Sequence, residues 1–266
     1  MNIVLIGAGN LATWLGRTLL RTEHNVCQVY SRTDESAIAL SEQLHCAYTT
    51  SLQDLYADAD LYVVAVKDHA LSEVLDALSL STTTRERIVH TAGSIPMDVF
   101  TAYKWQQYGV LYPLQTFSAS RNVDSTAIPF FIEASTPELL EQLKTLACCL
   151  TTSVYELDSE HRKWLHLSAV FACNFTNHCY ALAQQILSRS GMPFEVLLPL
   201  IDETAAKVHQ LEPVRAQTGP AVRFDENILA TQRDLLASGG FDLDALYVQM
   251  SESIHRLVQA YKKTDT

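Results

Sequence analysis

Through the first half of the chain, short apolar runs alternate with longer stretches whose apolar residues recur every three or four positions. Residues 3–6, 26–31, 61–66, 88–91, 110–112 and 129–133 predict strands, because each is short, apolar and bounded by polar or turn-forming residues. The intervening segments 11–21, 35–44 and 70–78 carry helical periodicity. Alternation of this kind predicts a mostly parallel sheet with helices on both faces. The later strands follow one another more closely, so an antiparallel or edge strand is expected among them. A helix over 137–150 and a strand over 153–157 close the series.

From Asp158 onward the pattern is helical throughout. Residues 164–188 contain no Asp, Glu, Lys or Arg, a length that raises the question of a membrane span. The segment also holds His166, Asn174, Thr176, Asn177, His178, Gln184 and Gln185, which are costly in hydrocarbon. The better expectation is a helix covered by its own domain and by a second subunit, which makes the protein a homodimer through its C-terminal helices. Further helices are expected over 194–210, 225–237 and 243–262, with a Pro/Gly stretch at 212–220 between the first two. The division expected is an α/β domain over 1–157 and an all-helical domain over 158–266.

Composition supports this reading. Hydrophobic residues make up 48% of 266 and charged residues 18%, enough apolar material for a sizeable core. The net charge of -11 and the lack of a Lys/Arg cluster exclude a nucleic-acid surface and an anionic membrane surface. Six cysteines show no metal-binding spacing and are read as reduced thiols, consistent with a cytoplasmic protein. The N-terminus has no basic stretch ahead of its apolar run and reads as a strand, not a leader.

The first strand runs directly into Gly7-Ala8-Gly9-Asn10-Leu11-Ala12 and then into a helix. This is a GxGxxA element in the context that gives it meaning. Gly7 allows the tight turn, Gly9 admits a pyrophosphate close to the backbone, and Ala12 permits close helix–strand packing. The helix N-terminus offers N–H groups and partial positive charge to the phosphates. The domain is therefore expected to be of the Rossmann type, doubly wound, with an all-α domain after it. The second strand indicates which dinucleotide binds. An NAD-binding strand ends in Asp or Glu, which accepts from the ribose 2′-hydroxyl. Here it ends Ser31-Arg32-Thr33, two hydroxyls and a guanidinium able to pair with a 2′-phosphate, so NADP(H) is the expected cofactor. A solvated surface arginine, with NAD(H) accepted, is the plainer alternative.

These elements, with 60–67 and His90-Thr91-Ala92-Gly93-Ser94, resemble the NADP-dependent oxidoreductases of the pyrroline-carboxylate reductase and 6-phosphogluconate dehydrogenase superfamily. The C-terminal half, with Asn174-Phe175 and Gln217-Thr218-Gly219-Pro220, most resembles an uncharacterised branch of it. The resemblance implies that the loops holding Val66 and Lys67, and Ala92 and Gly93, flank the ribose and nicotinamide. It also implies a small-molecule substrate (carbonyl, imine or hydroxy acid) bound against the first C-terminal helix. On that helix His166, Asn174 and Asn177 fall within about 80° of one another at 100° per residue. His166 is the candidate proton donor and Asn174 the candidate hydrogen-bond partner of the substrate. The lysine that the hydroxy-acid branch carries one turn before its helix Asn is replaced here by Val170. Buried packing polars are the alternative for the stripe, and a non-catalytic NADP(H)-binding sensor is the alternative for the whole protein. Arg223 is a candidate anchor for an anionic substrate, or else a local partner of Asp225 or Glu226. His90 and Tyr112 end strands facing the expected cleft.

Overall fold

The computed structural model describes residues 1–80, 87–118, 121 and 123–264. Among these, eight strands form one sheet: β1 Asn2–Ile6, β2 Asn25–Tyr30, β3 Ala47–Thr49, β4 Leu61–Val64, β5 Arg87–His90, β6 Gln107–Pro113, β7 Phe130–Ala134 and β8 Val154–Glu156. Their order is β3-β2-β1-β4-β5-β6-β7-β8. The strands from β3 across to β6 are parallel, β7 runs antiparallel to β6, and β8 is parallel to β7. The antiparallel member therefore falls late in the series, as expected. The short edge strand β3 has no counterpart among the expected strands.

Alternate residues of the central strands face opposite layers. Ile3, Leu5, Val63 and Val89 pack with Leu15 and Leu19 of α1 (Asn10–Leu19), Leu40 and Leu44 of α2 (Asp34–Leu44) and Leu143 of α4 (Pro137–Cys148). Val4, Ile6, Tyr62 and Ile88 pack on the other side with Leu71 and Leu75 of α3 (Asp68–Ser79) and with Phe100. Both faces are thus covered, and β1 and β4 read as continuous apolar runs because neither has a wet side. The order of strands reverses at β1: β2 and β3 are added on one side of it, and β4 and β5 on the other, all parallel. This is the switch point at which an open α/β sheet binds ligands, outside the carboxyl ends of its strands.

After β8 come α5 (Ser159–Ala169), a π-helical turn (Val170–Phe175) and α6 (Thr176–Leu187). The chain divides into two compact units, Met1–Asn174 and Phe175–Thr266, so α5 clusters with the sheet beyond residue 157. The second unit holds α6, α7 (Leu198–Lys207), the single-turn helices α8 (Pro213–Ala216) and α9 (Pro220–Arg223), α10 (Glu226–Ser238) and α11 (Asp244–Thr264). Arg233 on α10 pairs with both carboxylate oxygens of Asp244 at the start of α11, at 2.6 and 3.0 Å. None of α6 or α7 is buried in the single chain. Among the described residues, no helix is long and apolar enough to cross a membrane.

Candidate functional site

Helix starts along the chain are of two kinds. Thr136, Asp158 and Asp225 each accept a hydrogen bond from a backbone N–H of the helix they open. Helix α1 opens instead on Gly9, which provides no side-chain cap, and its first turn carries no acidic residue. Its leading N–H groups and its dipole are therefore left for an external anion. The two glycines before it do different jobs. Gly7 has φ of +123°, and a Cβ there would lie 2.4 Å from the Ala65 carbonyl oxygen at the end of β4. A side chain at Gly7 is thus excluded both by conformation and by space. A Cβ at Gly9 would meet nothing within 4 Å. The turn consequently holds an open concavity over uncapped N–H groups, which fits a dinucleotide pyrophosphate. Ala12 is fully buried beneath the turn, Leu11 is half-buried, and Asn10 donates to the Phe117 carbonyl at 3.1 Å.

The carboxyl end of β2 lies at the same rim of the sheet. Ser31 is buried with its N–H on the Thr49 carbonyl, 3.2 Å away. Arg32 and Thr33 are exposed, and Thr33 donates to the Ser36 hydroxyl at 3.0 Å. No carboxylate pairs with Arg32 among the described residues. Val66 and Lys67 follow β4, with Lys67 at the N-cap of α3. Asp68 accepts a hydrogen bond from Ser94 Oγ, joining the loops after β4 and β5.

The loop after β5 is also closely packed. A Cβ on Gly93 would lie 2.5 Å from His166 Nδ1 and 2.7 Å from Tyr112 Cζ. Gly93 is therefore the floor on which a strand tyrosine and a helix histidine meet. Tyr112, on β6, places its hydroxyl 3.0 Å from His166 Nδ1 on α5, with the two rings edge to face. Burial pushes the Tyr112 phenol up to about 12, opposed by the nearby Arg162 charge, so it is a neutral hydroxyl at physiological pH. His166 is half-buried.

Beneath this pair lies a buried ionic cluster absent from the sequence expectations. Arg162 on α5 is 1% exposed and reaches Glu133 on β7 at 2.5 Å, the Ile95 carbonyl at 2.8 Å and Ser159 Oγ at 3.1 Å. Ser159 Oγ in turn donates to Glu133 at 2.7 Å and accepts from the Met97 N–H at 2.8 Å. His90, at the end of β5, stacks on Phe100 and accepts the Ala92 N–H on Nδ1. Burial, with Arg162 adding to it, lowers His90 to about 3, so the ring is neutral. It fixes the β5 loop rather than titrating near neutrality.

The uniform helix that groups His166, Asn174 and Asn177 is corrected by the π turn at Val170–Phe175. Bonds from i to i+5 turn each residue by less than 100°, so helical phase does not carry through that segment. Asn174 lies in the turn and is exposed. The residues that come together are Gly93, Tyr112 and His166. In the second unit, Arg223 is exposed at the end of α9, while Asp225 caps α10 by accepting from the Ile228 N–H.

Comparisons with known proteins bear on this arrangement. A model described as NADP oxidoreductase, coenzyme F420-dependent, matches residues 2–92, and a domain of unknown function, DUF2520, matches residues 128–254. A crystal structure from Bacteroides fragilis, provisionally named an NADP oxidoreductase, is 51% identical, with 96% of this chain and 98% of that one covered and a TM-score of 0.90. The chain belongs to this NADP oxidoreductase family. The oxidoreductase also shares its fold with an imine reductase of Myxococcus stipitatus in complex with NADP+, at 15% identity, 98% and 95% coverage and a TM-score of 0.71. A 1-pyrroline-5-carboxylate reductase of Streptococcus pyogenes is similar in fold at 16% identity, 98% coverage of both chains and a TM-score of 0.64. No curated protein matches the oxidoreductase.

Proposed function

We propose that this protein is an NADP(H)-dependent oxidoreductase moving hydride to or from a small carbonyl, imine or hydroxy acid. The observation that carries the reading is the gathering of four loops at one rim of the sheet. These are the open Gly9 turn, the unpaired Arg32, Lys67 at the head of α3, and the Gly93 floor under Tyr112 and His166. Gly7, Gly9, Asn10, Leu11 and Ala12 would hold the pyrophosphate, and Ser31, Arg32 and Thr33 the 2′-phosphate. Val66, Lys67, Ala92 and Gly93 would line the path toward the nicotinamide. The bound cofactor supplies or accepts the hydride. The protein's part is to orient the substrate and to offer a donor where negative charge develops. His166 is that donor and Asn174 a hydrogen-bond partner of the substrate. The test is NADPH oxidation against a panel of small carbonyls and imines. His166→Ala is expected to lower turnover by roughly 10²–10⁴-fold with NADPH affinity retained, and Asn174→Ala by less. Turnover indifferent to His166→Ala would remove it from the chemistry.

The working form proposed is a homodimer built through the C-terminal helices. Trp164 and Phe171 are 71% and 63% exposed in the single chain, and Leu200 and Leu257 are 64% and 60% exposed. Pro213, Val214, Ile254 and Leu257 line an apolar groove within the second unit. Trp164 and Phe171 lie in the segment free of charge, and exposed apolar side chains of this kind in each unit are typical of surfaces covered by another chain, so a second copy is the occupant we assign. Light scattering is expected to give a dimer at micromolar concentration, and a stable monomer would contradict it. The six cysteines are all unpaired, as in a reducing compartment, which supports a cytoplasmic location.

A further inference from the structure

We infer that Tyr112 is a positioning residue of the site, its hydroxyl donating to Nδ1 of His166 and holding the imidazole in the tautomer that carries its proton on Nε2. The inference rests on the reading of His166 as donor to the substrate, and it adds which nitrogen donates and what fixes the choice. The geometry is direct. Oη of Tyr112 lies 3.0 Å from Nδ1, within ordinary hydrogen-bond range, and the ring centroids are 6.0 Å apart in an edge-to-face arrangement. Contact with Gly93 on one side keeps both rings where they are, since even a methyl there would collide with both.

Counting donors and acceptors selects the direction of the bond. A phenol has one proton to donate, a neutral imidazole one N–H and one bare nitrogen. If Nδ1 carried the proton, it would donate to Tyr112, and the tyrosine proton would need another acceptor. Tyr112 is only 8% exposed, and its hydroxyl makes no other hydrogen bond among the described residues. That arrangement would strand a donor in a largely dry setting, at substantial cost. With Tyr112 donating, the hydroxyl proton and the bare Nδ1 satisfy each other, and Nε2–H is left over. Nε2 makes no hydrogen bond among the described residues, and the ring is half-buried rather than enclosed. A neutral Nε2–H is thus presented as the hydrogen-bond donor for the substrate oxygen or nitrogen, as a nitrogen oriented through its ring partner is expected to be.

The experiment is long-range 1H–15N NMR of the full-length protein, at a pH where the imidazole is neutral. The His166 signals are assigned by their loss in His166→Ala. The wild type is expected to show the Nε2–H tautomer. Tyr112→Phe and Gly93→Ala, which respectively delete and wedge open the contact, are each expected to turn it into a mixture of the two tautomers. Tyr112→Phe is also expected to lower kcat by about 3- to 10-fold with the KM for NADPH unchanged. A wild-type Nδ1–H tautomer would overturn the inference, as would a tautomer indifferent to both substitutions. Because the NMR readout needs no substrate, it separates this inference from the functional reading. Turnover insensitive to His166→Ala would defeat that reading while leaving the Tyr112–His166 bond as measured.

Discussion

Arg162 and Glu133 form a 2.5 Å ion pair that ties α5 to β7, with side chains 1% and 16% exposed. The same guanidinium also bonds the Ile95 carbonyl, so one side chain joins the helix, the sheet and the loop that leads away from Gly93. Removing one partner of a buried pair leaves the other charge without compensation. Arg162→Ala is therefore expected to cost about 3–5 kcal/mol in urea unfolding. Arg162→Lys is expected to recover only part of it, because an ammonium cannot span the Glu133 and Ile95 oxygens as a planar fork does. A loss below about 1 kcal/mol, the range of an exposed pair, would contradict the buried-clamp description.

The two glycines of the turn give opposite expectations. Gly7→Ala places a methyl at the Ala65 carbonyl in a positive-φ backbone and is expected to destabilise the fold, which thermal unfolding would register. Gly9→Ala meets no neighbour within 4 Å and is expected to leave the Tm close to wild type while weakening NADPH binding. Unaltered NADPH affinity in a folded Gly9→Ala protein would show that the open turn does not hold the pyrophosphate.

His90 makes stability depend on pH. Its folded-state value of about 3, set by burial, lies below the ordinary imidazole value, so between the two the unfolded chain holds the extra proton. Stability then rises with pH across that window, and it is lost as pH falls from about 6.5 toward 3 with a slope of up to ~1.4 kcal/mol per pH unit from this group. In His90→Gln the slope in this window is expected to shrink when urea midpoints are compared across pH. Parallel profiles for the two proteins would mean that His90 is not buried neutral.

How much of this was legible in the sequence depended on whether the deciding contact was local. Strands β1 and β4 are readable because burial on both faces requires unbroken apolar runs. The GxGxxA turn is readable because its constraints fall within one strand–turn–helix unit. The edge strand β3 is not, being three residues long and partly exposed. Arg162 sits among Glu160, His161 and Lys163, a run indistinguishable from a solvated helix face, and its burial depends on Glu133 and Ile95, far away in the chain. Tyr112 could be placed at a strand end, but its meeting with His166 spans 54 residues and depends on how α5 lies on the sheet. The π turn leaves no local signature, and it is what upsets the helical phase linking His166 to Asn174.

The cofactor is tested most directly by titrating NADPH and NADH against the wild type and Arg32→Ala, following nicotinamide fluorescence. Arg32 is exposed at the end of β2 and free of any carboxylate among the described residues, beside Ser31 and Thr33, and the first carboxylate after the strand is Asp34, in the first turn of α2. The wild type is expected to prefer NADPH. Arg32→Ala is expected to lose about 1.5–3 kcal/mol of NADPH binding, roughly 10- to 150-fold in Kd, with NADH binding nearly unchanged. Equal losses for the two cofactors, or a wild type that prefers NADH, would contradict the NADP(H) assignment.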